Sequence, residues 1–165
     1  MKAHLRNTFE PARAPFELPS PQTAEMLHVM KRIFQEIWID EHDECFDELY
    51  HPDVEVQGID HGSSVGLEDF KDLVREFRRH QIMRDFKIID VISDDHSRCA
   101  IWIDYKVHVK AAEADATLSV ACNYTITDGK VKHVRVLMER LAVLEEIHAI
   151  PDGAYFIGLS GGRFA

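Results

Sequence analysis

The chain has 165 residues, of which 45% are hydrophobic and 29% charged, and its formal net charge is −10 at pH 7. A chain of this length is expected to form one domain and to bury roughly 70% of its unfolded surface. The negative charge disfavours nucleic-acid binding, which needs clustered Lys and Arg, and no apolar run approaches the roughly 18 residues that cross a membrane.

The N-terminal residues and the cysteines favour a cytoplasmic protein without metal or cofactor. Residues 1–20 lack the continuous apolar stretch of a signal peptide and are expected to form an arm. Cys45, Cys99 and Cys122 show no C-x-x-C spacing, so we expect buried thiols. The histidines near acidic residues lack a second ligand cluster, so no metal site is predicted.

Three helices are predicted in the first half of the chain. Over residues 21–38 apolar residues recur at intervals of three and four, which is typical of one face of an α-helix, and Ser20 is the expected N-cap. A second, short helix is expected to stop at Pro52. The third helix is predicted to open after Gly66.

In the second half the apolar period changes from 3.6 to 2, which predicts β-strands. The predicted strands cover residues 86–93, 99–109, 117–127 and 130–138. The turn sequences DDHS and TDGK join neighbours, which predicts an antiparallel meander. Together these elements indicate an α+β fold, a cone-shaped curved antiparallel sheet with three N-terminal helices on its concave face.

The apolar face of the meander is expected to face the helices. Its side chains could line a pocket for a small apolar or aromatic molecule, or they could fill the interior, and periodicity does not distinguish the two. The predicted ligand-binding residues are Phe34, Trp38, Val56, Tyr105, Val120, Cys122, Tyr124, Val136 and Met138.

The opposite face of the sheet is semi-polar and carries Trp102 and Leu137. These large side chains beside small Ser, Thr and Ala residues favour a homodimer through the outer sheet face, and a solvated face is the alternative. The domain is predicted to span residues 21–148. The apolar tail, residues 149–165, is expected to pack on the domain or on a partner subunit.

Asp60 and His61 are candidate catalytic residues between two glycines. The pair could serve as general base and orienting group at a pocket rim, with Tyr105 donating a hydrogen bond to a ligand carbonyl. Alternatively, both residues form a turn and are solvated, and Tyr105 belongs to the core. Cys122 is expected to be an inert buried thiol.

The order of elements, with YHPDVEV, VGLEDFKDLV and DGKV in sequence, resembles the SnoaL-like polyketide cyclases of the nuclear transport factor 2-like superfamily. The resemblance covers about residues 21–148 and implies a dimeric cone fold with a deep apolar pocket. It also implies an acid–base aspartate, a histidine and an asparagine. Ungapped alignment on HPD and DGK puts these three roles at Val136, Cys122 and Val56, so the family's acid–base group is absent on this alignment.

Three functions therefore remain open from the sequence. The first is a small-molecule-binding protein without the family's acid–base aspartate. The second is an isomerase, cyclase or dehydratase that uses His61, Asp60 and a pocket tyrosine such as Tyr105. The third is a structural dimerisation module whose working surface is the outer face of the sheet.

Overall fold

The computed structural model describes residues 20–59 and 63–163. The helices are α1 (Pro21–Arg32, continued by a π-helical segment, Ile33–Ile39), α2 (Phe46–Leu49, preceded by a 3₁₀ turn, Asp43–Cys45), α3 (Leu67–His80), α4 (Arg140–Glu146) and α5 (Ala154–Leu159). The strands are β1 (Tyr50–Gln57), β2 (Ser63–Val65), β3 (Gln81–Ser93), β4 (Arg98–Val109), β5 (Ala114–Thr127) and β6 (Lys130–Met138).

The strands form one six-stranded sheet in the order β2-β1-β6-β5-β4-β3. The predicted meander is confirmed, because β3, β4, β5 and β6 pair antiparallel with their sequence neighbours. A parallel pair joins β1 to β6 and brings the helical first half onto the meander. The α+β class with a curved, open sheet is confirmed.

Helix α1 begins at the predicted cap. The Ser20 side chain accepts a hydrogen bond from the backbone N–H of Thr23 at 3.1 Å. The hydroxyls of Ser20 and Thr23 both donate to Asp95 Oδ1, in the turn between β3 and β4. This contact fixes the start of α1 against the meander, and the apolar stripe of the helix then packs on the sheet through Met26, Met30 and Phe34.

The end of the second helix differs from the prediction. Helix α2 ends at Leu49, and Pro52 lies inside β1. A proline cannot donate to a strand ladder, and Pro52 falls in the stretch between Tyr50 and Glu55 where the register with β6 shifts. The local irregularity of β1 therefore accommodates the proline.

Strand β3 is longer than predicted and begins directly after α3. Its register with β4 shifts between Met83 and Asp85 and again between Ile88 and Asp90. Each bulge breaks the alternation of apolar and polar residues. The first five residues of the strand therefore gave no period-2 signal.

Helix α4 covers the edge of β5 beyond the end of β6. The Glu146 carboxylate accepts the backbone N–H of Thr117 at 2.8 Å, and the N–H of Glu139 donates to the Ser119 carbonyl at 2.9 Å. Val143 is the buried side chain of this helix. An edge that would otherwise expose unpaired backbone groups is thereby closed.

Helix α5 lies in the C-terminal tail, and most of its large apolar side chains are exposed. Tyr155, Phe156 and Leu159 of α5 are exposed, whereas Ala154 is buried. The division of the chain into arm, domain and tail stays a prediction. Within the ranges that the structure describes, every helix is too short or too polar to cross a membrane.

Candidate functional site

A small cavity of about 40 Å³ lies between the helices and the concave face of the sheet. Alternation along β4 and β5 points Tyr105, Cys122 and Tyr124 toward it. From the other side, Phe70 and Phe77 of α3 close it. The cavity exists because the curved sheet and the helices do not meet completely at this point.

Most residues that the sequence pattern assigned to a ligand lie on this cavity wall. They are Trp38, Tyr105, Val120, Cys122, Tyr124, Val136 and Met138. Phe34 and Val56 lie instead in the packed core, with 1% of their surface exposed. The Phe34 ring meets the rings of Tyr105 and Tyr124 edge-on, with centroids 6.0 and 6.5 Å away, so it supports the wall from behind. That the wall residues bind a ligand stays a prediction.

Sequence reasoning missed another set of wall residues. They are Tyr50, Ile59, Phe70, Phe77, Met83, Leu118 and Val134. Leu118 and Val134 share the predicted inner faces of their strands, so strand alternation could have found them. Tyr50 gave no such signal, because it lies where α2 passes directly into β1.

The polar groups of the wall are mainly phenols. Tyr50, Tyr105 and Tyr124 are between 1% and 5% exposed. Burial is the largest cause that raises the pKa of each phenol well above its ordinary value, and proximity to Cys122 raises it further. All three phenols are therefore neutral hydrogen-bond donors at physiological pH.

Cys122 lies among these phenols and is itself buried. Burial raises the pKa of its thiol to about 12, although interaction with the Tyr124 hydroxyl opposes this effect. A thiol with this pKa is almost entirely protonated at neutral pH and is a poor nucleophile. This environment favours the inert thiol over a catalytic one.

The end of the cavity nearest the solvent is formed by half-buried side chains. Trp38, at the end of the π-helical segment, meets the Phe77 ring edge-on, with 5.8 Å between centroids. Next to Phe77, the Arg78 guanidinium donates to the Ile37 carbonyl and to Asp43 Oδ1, the latter at 2.6 Å. These bonds tie α3 to the π-helical segment and hold the two aromatic rings at the mouth.

No carboxylate, cationic or histidine side chain of β4 or β6 lines the cavity. Glu139 and Arg135 are exposed, and Arg135 donates to Gln57 Oε1 at 3.0 Å. On β4, His108 Nδ1 lies 2.7 Å from Asp115 Oδ1 on the outer side of the sheet. The bulge in β6, between its pairings with Thr125 and Ile126, therefore does not turn Glu139 inward.

The two candidate catalytic residues of the loop, Asp60 and His61, lie outside the described residues. The residue before them, Ile59, lines the cavity. Tyr105, the third candidate, lies on the cavity wall. The structure thus shows where Tyr105 lies, and the catalytic role of all three residues stays a prediction.

The positions that the family resemblance assigned to catalysis are apolar or weakly acidic. Cys122 and Val136 pair across β5 and β6 and both line the cavity, while Val56 pairs with Val134 in the core. Among the residues that the structure describes, no group of three or more His, Cys, Asp or Glu side chains could hold a metal ion. In this described part of the wall, the available chemistry is apolar contact and hydrogen-bond donation by phenols.

Comparison with solved structures finds the same fold in proteins of diverse description. A candidate SnoaL-like polyketide cyclase from Jannaschia sp. CCS1 is 16% identical, with a TM-score of 0.66 over 82% of this chain and 99% of the other. A candidate isomerase from Bacillus subtilis is 12% identical, with a TM-score of 0.67 over 78% and 96%. An LEH-like epoxide hydrolase from M. tuberculosis is 13% identical, with a TM-score of 0.63 over 85% and 99%. At these identities the likeness shows the fold alone.

Comparison at the level of sequence identifies the family of the chain. A search of curated proteins finds no match. The model of the SnoaL-like domain matches residues 31–134, which is more than half of the chain and includes α3 and most of the sheet. The chain therefore belongs to the SnoaL-like domain family.

Proposed function

We propose that the protein binds a small apolar or aromatic molecule in the cavity between helices and sheet, without an acid–base group of its own in the described wall. The observation that carries this proposal is the composition of the wall. Its fourteen described residues include no carboxylate, imidazole or ammonium group. Such a surface favours transfer of apolar groups from water, by about 25 cal/mol for each Å² buried.

The size of the cavity sets a requirement on binding. A volume of about 40 Å³ is smaller than the roughly 150 Å³ that accommodates benzene, so a ring-sized ligand must displace side chains. Trp38, Phe77 and Met138 at the mouth are only partly buried, and methionine changes rotamer readily. We expect the ligand to enter by moving these three side chains while the sheet stays in place.

Catalysis is the competing proposal, since the similar structures include candidate isomerases and cyclases and an epoxide hydrolase. An isomerase, cyclase or dehydratase reaction would need a proton acceptor near the cavity. Asp60 and His61 follow Ile59 of the wall and are the residues to test for this role. The two proposals differ in whether a bound carbonyl compound loses a proton to the protein.

Binding is tested with 1-indanone, a small bicyclic aromatic ketone, and a variant that fills the cavity. We expect the ketone to raise the melting temperature of the native protein and to give a saturable calorimetric titration. Val136→Phe puts a ring into the cavity and should weaken binding roughly tenfold or more, because the ligand and the new ring compete for one volume. Leu144→Phe, on an exposed position of α4, is the matched control and should bind as the native protein does. Equal binding by both variants would place the ligand elsewhere.

We also propose that two copies of the chain pair through the outer sheet face. Trp102 and Leu137 lie in one row across β4, β5 and β6, with the small Ala121 between them. They are 49% and 73% exposed, and Ile92 in the adjacent row is 68% exposed. Farther along β4 and β5, on one side of these rows, Asp115 binds Arg84 and His108, which would give a two-fold contact an apolar centre and a polar rim on that side.

Light scattering coupled to size-exclusion chromatography tests the dimer. The native chain is expected to elute with twice its mass. The double variant Trp102→Lys, Leu137→Lys should elute as a monomer, because four buried charges at the centre of the contact would be unpaired. The control is Leu144→Lys, which changes an exposed leucine outside the sheet and should stay dimeric. A native monomer, or a dimeric double variant, would exclude this interface.

A further inference from the structure

An arginine of α3 completes the backbone hydrogen bonding of the π-helical segment. Within the segment, the Glu36 carbonyl accepts from the N–H of His42 at 2.8 Å. The next carbonyl, that of Ile37, accepts instead from the guanidinium of Arg78. Segments of π-helix are rare and occur frequently at functional sites. Arg78 therefore fixes the backbone of the segment directly before Trp38, which lines the cavity.

The same guanidinium has a second anchor. Arg78 Nη1 donates to Asp43 Oδ1 at 2.6 Å, and Asp43 Oδ2 accepts from Arg75 Nε at 3.2 Å. The Arg78 side chain is only 12% exposed, so solvent screens this ion pair weakly. Hydrogen bonds between charged groups are stronger than neutral ones. We call the contacts of Arg78 with Ile37 and Asp43 the mouth clamp.

The mouth clamp lies behind the two aromatic rings that close the cavity. Trp38 follows Ile37 in the chain, and Phe77 precedes Arg78, and the two rings meet edge-on with 5.8 Å between centroids. A ring-sized ligand must part these rings, because the cavity measures only about 40 Å³. Since each ring is one residue away from an anchor of the clamp, the clamp limits how far the rings can separate.

The closed clamp leaves a donor unsatisfied. In residues 20–59 and 63–163, the buried side-chain nitrogen and oxygen atoms without a hydrogen-bond partner are Arg78 Nε and Gln81 Nε2. A buried donor without a partner destabilises the state that buries it. A movement that lets water reach Nε would recover part of this loss. The closed state of the mouth is therefore less stable than a fully bonded one would be, which makes opening accessible.

We infer that Arg78 is a positioning residue that holds the cavity mouth closed and thereby lowers the affinity for the ligand. This inference rests on the proposed binding function and adds a control of ligand entry. When only a fraction of the molecules is open, the apparent affinity is reduced by that fraction. Arg78 is not among the described residues that line the cavity, so it acts through the two rings and not on the ligand.

The variant Arg78→Lys tests the clamp while it keeps the charge. A lysine ammonium lacks the planar fork that holds Ile37 and Asp43 together. Stopped-flow mixing is expected to show 1-indanone associating roughly tenfold faster, with little change in dissociation, and calorimetry should show a Kd lower by the same factor. The control is Arg79→Lys, at a neighbouring exposed arginine that pairs with Glu76, and it should bind as the native protein does.

A second variant weakens the other anchor. Asp43→Asn keeps Arg78 and removes only the charge of its partner, so it should raise the affinity by a smaller factor. This variant also keeps the test decisive if Arg78→Lys does not fold. A gain of affinity is not expected from the loss of a residue that only stabilises the fold, which distinguishes the clamp from a structural role.

A measurement without ligand tests the clamp independently. The chain has two tryptophans, so in a Trp102→Phe background the fluorescence reports on Trp38 alone. Acrylamide should quench this fluorescence more strongly when Arg78→Lys is added. Unchanged or weaker affinity for 1-indanone in both folded clamp variants would overturn the inference and leave the binding function standing. If 1-indanone binds neither the native protein nor a variant, the binding function is wrong, and unchanged quenching would then overturn the clamp as well.

Discussion

The variant Gly58→Ala is expected to lose about 2 to 6 kcal/mol of the free energy of unfolding. Gly58 has φ +92°, a conformation that costs an L-residue about 1–3 kcal/mol. An added Cβ would also lie 1.9 Å from the carbonyl oxygen of Val136. That neighbour is backbone and cannot rotate away, so β1 and β6 must separate, at a cost of overpacking of about 1–3 kcal/mol.

A matched glycine separates the two causes of this loss. Gly129 in the β5–β6 turn also has a positive φ, +72°, but no atom of the residues that the structure describes lies within 4 Å of an added Cβ. Gly129→Ala should therefore cost only about 1–2 kcal/mol of conformational strain. Urea unfolding of both variants measures the difference. Equal losses would show that the end of β1 does not approach β6 as closely as the structure describes.

Because Ile59 and Val136 lie on the cavity wall, Gly58→Ala should also weaken binding of 1-indanone. Gly129 is not among the described residues that line the cavity, so Gly129→Ala should bind normally. A loss of binding in Gly58→Ala at a temperature where the variant stays folded would link the close approach of β1 and β6 to the shape of the cavity.

Alkaline pH is expected to destabilise the protein steeply. Burial raises the pKa of the Tyr50, Tyr105 and Tyr124 phenols above the ordinary value of 10.0, so the unfolded chain releases these protons first. Their stabilising contribution is complete below pH 10 and falls as the pH rises beyond it. As the pH rises from 10 to 11, each phenol that stays protonated in the folded state lowers the free energy of unfolding by on the order of 1 kcal/mol, so the three together lower it by a few kcal/mol.

Cys122 also contributes to the loss of folding stability at alkaline pH, and its effect begins at a lower pH than that of the phenols. Burial raises the pKa of its thiol from 9.0 to about 12. The contribution of this thiol to folding stability is therefore complete below pH 9 and is lost as the pH rises toward about 12. Urea unfolding between about pH 8 and about pH 11 should show a progressive fall in stability. Tyrosinate absorbance of the Tyr155→Phe variant, which lacks the exposed phenol, should rise together with the loss of circular dichroism. Phenolate formation in the folded state would contradict the burial of the Tyr50, Tyr105 and Tyr124 phenols.

Sequence patterns predicted those parts of the fold in which local chemistry and tertiary structure agree. The stripe of α1 and its cap at Ser20 are confirmed, because amphipathic period and capping are both encoded by adjacent residues. The same holds for the hairpin at Asp128 and Gly129, whose positive φ angles suit this turn. The parallel pairing of β1 with β6 could not be predicted, since it joins segments about eighty residues apart.

Only part of the candidate site could be predicted from the sequence, because the rest depends on how distant segments pack. Strand alternation located Tyr105, Cys122 and Tyr124 on the inner face, but alternation does not show whether facing layers touch. Only the relative positions of α3 and the sheet decide that a cavity remains beside these residues. Tyr50 lies outside any regular period, and its place among the phenols depends on the irregular start of β1.

The measurement that most directly tests a binding site without acid–base catalysis is deuterium exchange at the α-carbon of 1-indanone. Isomerases, cyclases and dehydratases of carbonyl compounds remove such a proton, and a positioned general base accelerates this step by about 10²–10⁴-fold. With the ketone saturating the native protein in D₂O, mass spectrometry is expected to show exchange at the rate of buffer alone. Accelerated exchange that is lost in His61→Ala, while that variant still binds the ketone, would contradict the binding proposal and establish an enzyme.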